Sequence, residues 1–158
     1  LYQLKELILS NNSIDTLEKN QFENFKTLES LDLSENKLGF LDKDIFKGLD
    51  NLIELELYGN QLTFEQTVKP FAYLKNLEKL DLSNNPFKKL PTELFYGLTN
   101  LTKLVMDETN IECIQEDDFL YVESLKHISL NNNKSLKNLS ENAFNKLKNI
   151  DSDFLRFM

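Results

Sequence analysis

Cysteine and histidine are almost missing from this 158-residue chain, which has one of each, Cys113 and His127. A single cysteine excludes an internal disulfide and a cysteine-built zinc site, and a single histidine removes most imidazole-based catalytic and metal-binding constellations. Long apolar runs are lacking too. None approaches the ~18–20 residues that span a bilayer, and no basic segment followed by an apolar one opens the chain, so no signal peptide is expected in this stretch. Positive charge is scarce, with 18 Lys and Arg against 26 Asp and Glu and a net charge of −8. That argues against a nucleic-acid backbone as partner, because counterion release needs clustered cations. What is present, 41% hydrophobic and 28% charged, suits one folded chain of domain size and is too apolar for disorder. Composition alone weakens an enzymatic reading.

Six segments share one spacing of apolar residues: LKELILSNNSI from Leu4, LESLDLSENKL from Leu28, LIELELYGNQL from Leu52, LEKLDLSNNPF from Leu77, LTKLVMDETNI from Leu101 and LKHISLNNNKS from Leu125. Their starts lie 24, 24, 25, 24 and 24 residues apart, and Ile150 opens a partial seventh after a further 25. Chance agreement of six units in phase is negligible. The pattern L-x-x-L-x-L-x-x-N-x-L resembles the leucine-rich-repeat signature over residues 4–149. The resemblance implies an α/β repeat solenoid: a right-handed superhelix with a concave parallel β-sheet and a convex side of loops and short helical turns. A single array over residues 1–158 is expected.

The slots also follow from physical chemistry. Leu7 and Leu9 lie two apart and point to one face of a short strand, with Leu4 and Ile14 closing the same core. Asn12 falls where the chain leaves the strand, and an amide there can satisfy backbone groups that sheet pairing cannot reach. Its equivalents Asn36, Asn60, Asn85 and Asn133 predict a buried ladder. Thr109 takes that slot in the fifth unit, so an irregularity is expected there, relieved by Asn110. Phe22, Phe46, Phe71, Phe95, Phe119 and Phe144 form a second column, 18 or 19 residues after each first leucine. Three residues further on stand Phe25, Leu49, Leu74, Leu98, Val122 and Leu147. One unit cannot bury its own apolar face, so stacking supplies the core, and the phenylalanines read as core.

Two units depart from the pattern. The third has Glu65 where others carry Leu17, Leu41, Leu90 or Ile114, and its return segment FEQTVKPFAYL holds one extra residue and more helical character before Pro70. The sixth has an insertion at KSLKNL that displaces its later apolar residues by one. Both fall on loop or convex backbone, where length is tolerated. The 24-residue unit, the phenylalanine column and LPTELFYGLTNL resemble the typical class of the family, which is common in animal extracellular proteins such as Toll and Toll-like receptor ectodomains, Slit, chaoptin and small proteoglycans. That implies an extracellular location, secreted or as a receptor ectodomain. Asn11, Asn100, Asn133 and Asn138 lie in N-x-S/T triplets. Asn133 belongs to the ladder and is a poor acceptor, which leaves Asn100, Asn138 and Asn11 as glycosylation candidates. Leu1 reads as the tail of a preceding unit and Asp153 falls in a core slot of the last one. A fragment of a longer solenoid, without its caps, is therefore expected.

Residues alternating with the leucines face the concave side. The middle slot holds Ile8, Asp32, Glu56, Asp81, Val105 and Ser129. Two residues earlier stand Glu6, Ser30, Glu54, Lys79, Lys103 and His127; two later stand Ser10, Ser34, Tyr58, Ser83, Asp107 and Asn131. Asp32, Glu56 and Asp81 would form a lateral row of like charges, unfavourable in a sheet, with only Lys79 and Lys103 near enough to offset it. The phrase L-D-L-S recurs in the family, so Asp32 and Asp81 can be scaffold. The alternative is an acidic recognition strip with Tyr58 as aromatic anchor, facing a basic partner. The candidate ligand-binding residues are thus Asp32, Glu54, Glu56, Tyr58, Lys79, Asp81, Lys103, Asp107 and His127.

Catalysis fits poorly. Carboxylates ~5–5.5 Å apart suit a retaining glycosidase, but this row lies on an open sheet with no water-excluding pocket. His127 has no nucleophile in a matching constellation, Cys113 reads as an unpaired half-buried thiol, and a flat row offers calcium too few oxygens. No cofactor and no metal are expected. The resemblance implies a non-enzymatic recognition module of innate-immune or developmental type, binding a protein ligand, basic in character, through the concave face or a flank. Nucleic acid is not expected, membrane attachment would come only through parts outside this stretch, and dimerisation is left open. The alternatives are a structural or cell-adhesion protein and an intracellular scaffold.

Overall fold

A computed structural model of the chain describes residues 3–64, 68–151 and 155–156. Leucines two apart, flanked by polar residues, drive each unit start into a short strand with one buried and one open face. The strands are β1 (Glu6–Ile8), β2 (Ser30–Asp32), β3 (Glu54–Glu56), β4 (Lys79–Asp81), β5 (Lys103–Val105), β6 (Cys113–Ile114), β7 (His127–Ser129), β8 (Asn138–Leu139) and β9 (Leu155–Arg156). Seven of them form one parallel sheet in the order β1-β2-β3-β4-β5-β7-β9. Its register aligns Leu7, Leu31, Leu55, Leu80, Leu104 and Ile128 across the strands. The six strands at the unit starts are three residues long, and the two-residue β9 completes the sheet. Backbone bonding nevertheless continues past them: Leu9 N donates to Asp32 O (2.8 Å), Asn11 N to Ser34 O (3.1 Å) and Glu35 N to Tyr58 O (2.8 Å). The chain then swings out through a left-handed residue in every unit: Asn11, Glu35, Gly59, Asn84, Glu108 and Asn132.

Stacking buries the predicted slots. Leu31, Leu33, Leu55, Leu57, Leu80, Leu82, Leu104, Met106, Ile128 and Leu130 are all buried, with Leu7 and Leu9 half-buried against them. Phe22, Phe46, Phe71, Phe95 and Phe119 are buried as the column predicts, and Phe144 is half-buried. The rings stack from Phe22 to Phe46 (6.4 Å) to Phe71 (6.0 Å), and again from Phe95 to Phe119 (6.2 Å) to Phe144 (5.6 Å). Between Phe71 and Phe95 the stack breaks among the described residues. There Phe64 lies 6.4 Å from Phe71 and 5.3 Å from Phe87. The break falls at the unit with the extra residue, where the return path is longer. Glu65, which opens that departure, lies outside the described residues, as do Leu1 and Asp153.

On the convex side, the expected short helical turns take the form of single hydrogen-bonded turns, such as Phe25 N to Phe22 O (2.9 Å) and Leu98 N to Phe95 O (3.1 Å). No helix occurs among the described residues. Gly97 shows why the chain leaves the turn so sharply: its φ is +94° and a Cβ there would lie 2.6 Å from Ala72 O. Such an approach of one unit's backbone to the next admits only glycine. A second, two-stranded parallel sheet pairs β6 with β8. Ile114 on β6 is buried, whereas Leu139, paired with it on β8, is 48% exposed.

Candidate recognition surface

The asparagine ladder fixes the edge from which the concave residues are presented. Asn60 Nδ2 donates to Leu33 O (3.0 Å), Leu57 O (3.1 Å) and Tyr58 O (3.3 Å), and its Oδ1 accepts from Leu38 N (3.0 Å). Asn36 and Asn85 repeat the arrangement one unit either side. Asn12 is exposed and, among the described residues, bonds only within its own unit, to Leu9 O and Ser10 O, so the ladder starts at Asn36. The irregularity at Thr109 is real, but its relief differs from expectation. Asn110 is exposed. Asn133 supplies the oxygen instead, accepting from Thr109 N (2.8 Å) and Thr109 Oγ1 (2.6 Å), while Ile111 N reaches that hydroxyl at 3.4 Å. A hydroxyl can both donate and accept, so Thr109 relays a bond that an amide makes directly elsewhere.

Held this way, the strands bring the middle-slot carboxylates into register, Asp32 opposite Glu56 and Glu56 opposite Asp81. The three are not equivalent. Asp32 Oδ1 accepts from Ser34 N (2.9 Å) and Ser34 Oγ (2.5 Å), and Asp81 Oδ1 accepts from Ser83 N (2.8 Å). Burial pushes the Asp32 carboxyl up, but the Ser34 and Ser10 hydrogen bonds outweigh it and hold the group below its ordinary value. Both aspartates thus tie the strand to its turn. Glu56 differs. Burial, followed by the charges of Asp81, Glu54 and Asp32, pushes its carboxyl up to about 7 against the pull of Lys103. Lys79 pairs with Glu54 at 3.6 Å. Tyr58 is 37% exposed at the rim, and Ile8 lies open at the first strand.

The remaining candidates gather at the other end of the sheet. Lys103, Asp107 and His127, with Val105, Ser129 and Asn131, line a concave depression of about 320 Å³. Asp107 Oδ1 accepts from Ser129 Oγ (2.6 Å) and Asn131 N (2.7 Å). The face is therefore most acidic over β2–β3, and beyond it Lys79, Lys103 and His127 align on adjacent strands, with Asp81 and Asp107 beside the two lysines. Behind the strands, a cleft of about 670 Å³ is lined by Phe64, Pro91, Cys113, Asp118 and Tyr121 among others. Asp118 is buried, which pushes its carboxyl up, and its Oδ2 accepts from Gln115 N (2.7 Å). The chain's one imidazole sits on concave β7, so it is not a base for Cys113. Among the described residues no group of three or more His, Cys, Asp and Glu is placed to hold a metal ion, and no helix is long and apolar enough to cross a membrane.

Two features escaped the sequence reading. One is a second polar column, just before each first leucine: Asn51 Nδ2 donates to Lys26 O (2.6 Å), Asn76 Nδ2 to Asp50 O (2.7 Å), Ser124 Oγ to Thr99 O (2.7 Å) and Asn149 Nδ2 to Glu123 O (3.2 Å). The recurrence of Asn, Ser or Thr at that offset was its signal. The other is a convex patch where Tyr96 meets Tyr121 edge-on at 5.3 Å, and Lys69 lies 4.6 Å from the Tyr96 ring centre and 2.7 Å from Glu93.

The sequence model of the leucine rich repeat family matches residues 2–63 and 75–134. The chain belongs to the leucine-rich-repeat family. No curated protein sequence matches it. Among solved structures it is similar to the TLR13–ssRNA13 complex, with a TM-score of 0.73 and 28% identity over 94% of this chain and 24% of that one. It is also similar to the mouse RP105/MD-1 complex (TM-score 0.72, 22% identity, 96% of this chain and 34% of that one). The leucine-rich-repeat domain of APL1B gives 0.73 and 22%, over 87% of this chain and 40% of that one. The chain thus spans less than half the length of each. Leucine-rich repeats of this kind are typically protein-interaction modules.

Proposed function

We propose that this chain is a stretch of an extracellular recognition solenoid, a receptor ectodomain or secreted binding protein, that engages a protein ligand through its concave face. The contact residues are Asp32, Glu54, Glu56, Tyr58 and Asp81 on the acidic half, and Lys79, Lys103, Asp107 and His127 on the other. One observation carries the reading: Glu56 stands in register between two aspartates with its carboxyl pushed up to about 7. Like charges side by side cost stability in a sheet, and a cationic side chain from a partner would relieve that cost, with Tyr58 closing over it as an aromatic anchor. Its charge would mainly set orientation and association rate. The net charge of −8 supports a protein ligand over a nucleic acid on this stretch. The exposed convex tyrosines, Tyr73 and Tyr96, favour a second reading, adhesion through the convex side.

The test is a panel of secreted and cell-surface proteins probed with the chain, with Glu56→Gln/Tyr58→Ala and with Tyr73→Ala/Tyr96→Ala. The concave reading expects a partner that the first variant loses and the second keeps. The reverse pattern would replace it with convex adhesion.

A further inference from the structure

Two of the four N-x-S/T triplets, those of Asn133 and Asn100, differ in what their amides do in the fold. Asn133 uses both amide hydrogens in the ladder, donating to Met106 O (2.8 Å) and Leu130 O (2.9 Å). A sugar there would displace one bond and enter the core edge. Asn100 belongs to the second polar column, one residue before Leu101. Its counterparts Asn51, Asn76 and Asn149 each donate to a backbone carbonyl of the preceding unit. Asn100 does not. Among the described residues its Nδ2 reaches only the Asn76 side-chain oxygen, at 3.5 Å, and the residue is exposed. It is also the one member of the column followed by a hydroxyl residue two positions on, Thr102.

We infer that Asn100 is the acceptor of an N-linked oligosaccharide, an assignment that rests on the extracellular reading above. The donor is a lipid-diphosphate-linked oligosaccharide. Asn100 Nδ2 bonds to the anomeric carbon of the sugar, the bond from that carbon to the diphosphate oxygen breaks, the lipid diphosphate leaves, and Nδ2 gives up one proton. The amide retains its second hydrogen, enough for the contact with Asn76. No backbone carbonyl loses its donor, and no other asparagine of the column lies in an N-x-S/T triplet. The glycan covers the flank where the chain returns into the strands, between the fourth and fifth units. The concave face and the flank of left-handed residues (Glu35, Asn84, Glu108) stay open to a protein ligand.

The experiment expresses the 158-residue chain behind a cleavable secretory signal in animal cells and treats the secreted protein with an amidase that converts glycosylated Asn to Asp. Peptide mass mapping should find Asp at position 100 and unchanged Asn at 133. Asn100→Gln and Thr102→Ala should both lose that sugar, and Thr102→Ser should keep it. Secreted, folded chain with unmodified Asn100, or with Asn133 converted, overturns the assignment. Because the signal is supplied, the result is independent of where the natural protein resides. Locating that protein by antibody tests the extracellular reading separately.

Discussion

At the scale of single residues, three kinds of group carry the energetics, and each has its own test. Asn60 serves four backbone groups from the buried ladder. Asn60→Ala should lower unfolding stability by about 1–3 kcal/mol, because buried partners lose their bonds, as measured by urea titration. Glu108 adopts φ +54°, a conformation costly for a side chain with a Cβ. Glu108→Gly should therefore raise stability by about 0.5–1 kcal/mol, the relief of that strain less the added freedom of the unfolded chain; an unchanged or lower melting point would place the strain elsewhere. Glu56 makes stability depend on pH. Its folded carboxyl titrates near 7 against 4.5 ordinarily, so the folded state binds the proton more tightly. Stability is then full below about 4.5, falls as pH rises, and is lost progressively up to about 7. Asp118 is shifted in the same direction, so the comparison is with Glu56→Gln, which should lose less stability than the parent between pH 5 and 8. Parallel curves would remove Glu56 as the cause.

At the scale of the repeating element, one unit contributes a strand, a ladder amide and a ring, and none is stable without its neighbours. Phe95 starts the second ring stack and is buried. Phe95→Ala should cost about 3–5 kcal/mol, read by thermal or urea unfolding, and a variant that melts with the parent would remove the column from the core. The sequence displayed this element well, because its signal recurs in every unit: the leucine slots, the ladder from Asn36, the phenylalanine column and the concave rows all stand where the spacing predicts. It failed where the answer lies in three dimensions. That Thr109 is served by Asn133, 24 residues on, depends on which unit stacks above, and nothing local points past Asn110. The Phe64 ring between Phe71 and Phe87 depends on the path of the longer third unit. The pattern also treated Asp32, Glu56 and Asp81 as one row, whereas Ser34 and Ser83 give the aspartates partners and single out Glu56. With those bonds in place, Asp32→Asn should cost some stability and Glu56→Gln should not.

At the scale of the whole molecule, seven parallel strands make an open surface whose negative charge is concentrated over β2–β3, while beyond it each lysine is matched by an aspartate. Long-range steering acts on the sum of these charges, whereas an aromatic anchor acts after contact, so Tyr58→Ala should speed dissociation and leave association nearly unchanged. On the proposed function, the acidic half of the concave face steers a basic partner. This steering is tested most directly by association kinetics with a partner from the protein panel, for the parent chain and for Asp32→Asn/Glu56→Gln/Asp81→Asn, at two salt concentrations either side of physiological ionic strength, where the Debye length is ~8 Å. The triple variant should associate more slowly, with a weaker dependence of its rate on salt. Equal rates and equal salt dependence, with the fold intact, would contradict it and leave Asp32, Glu56 and Asp81 as scaffold.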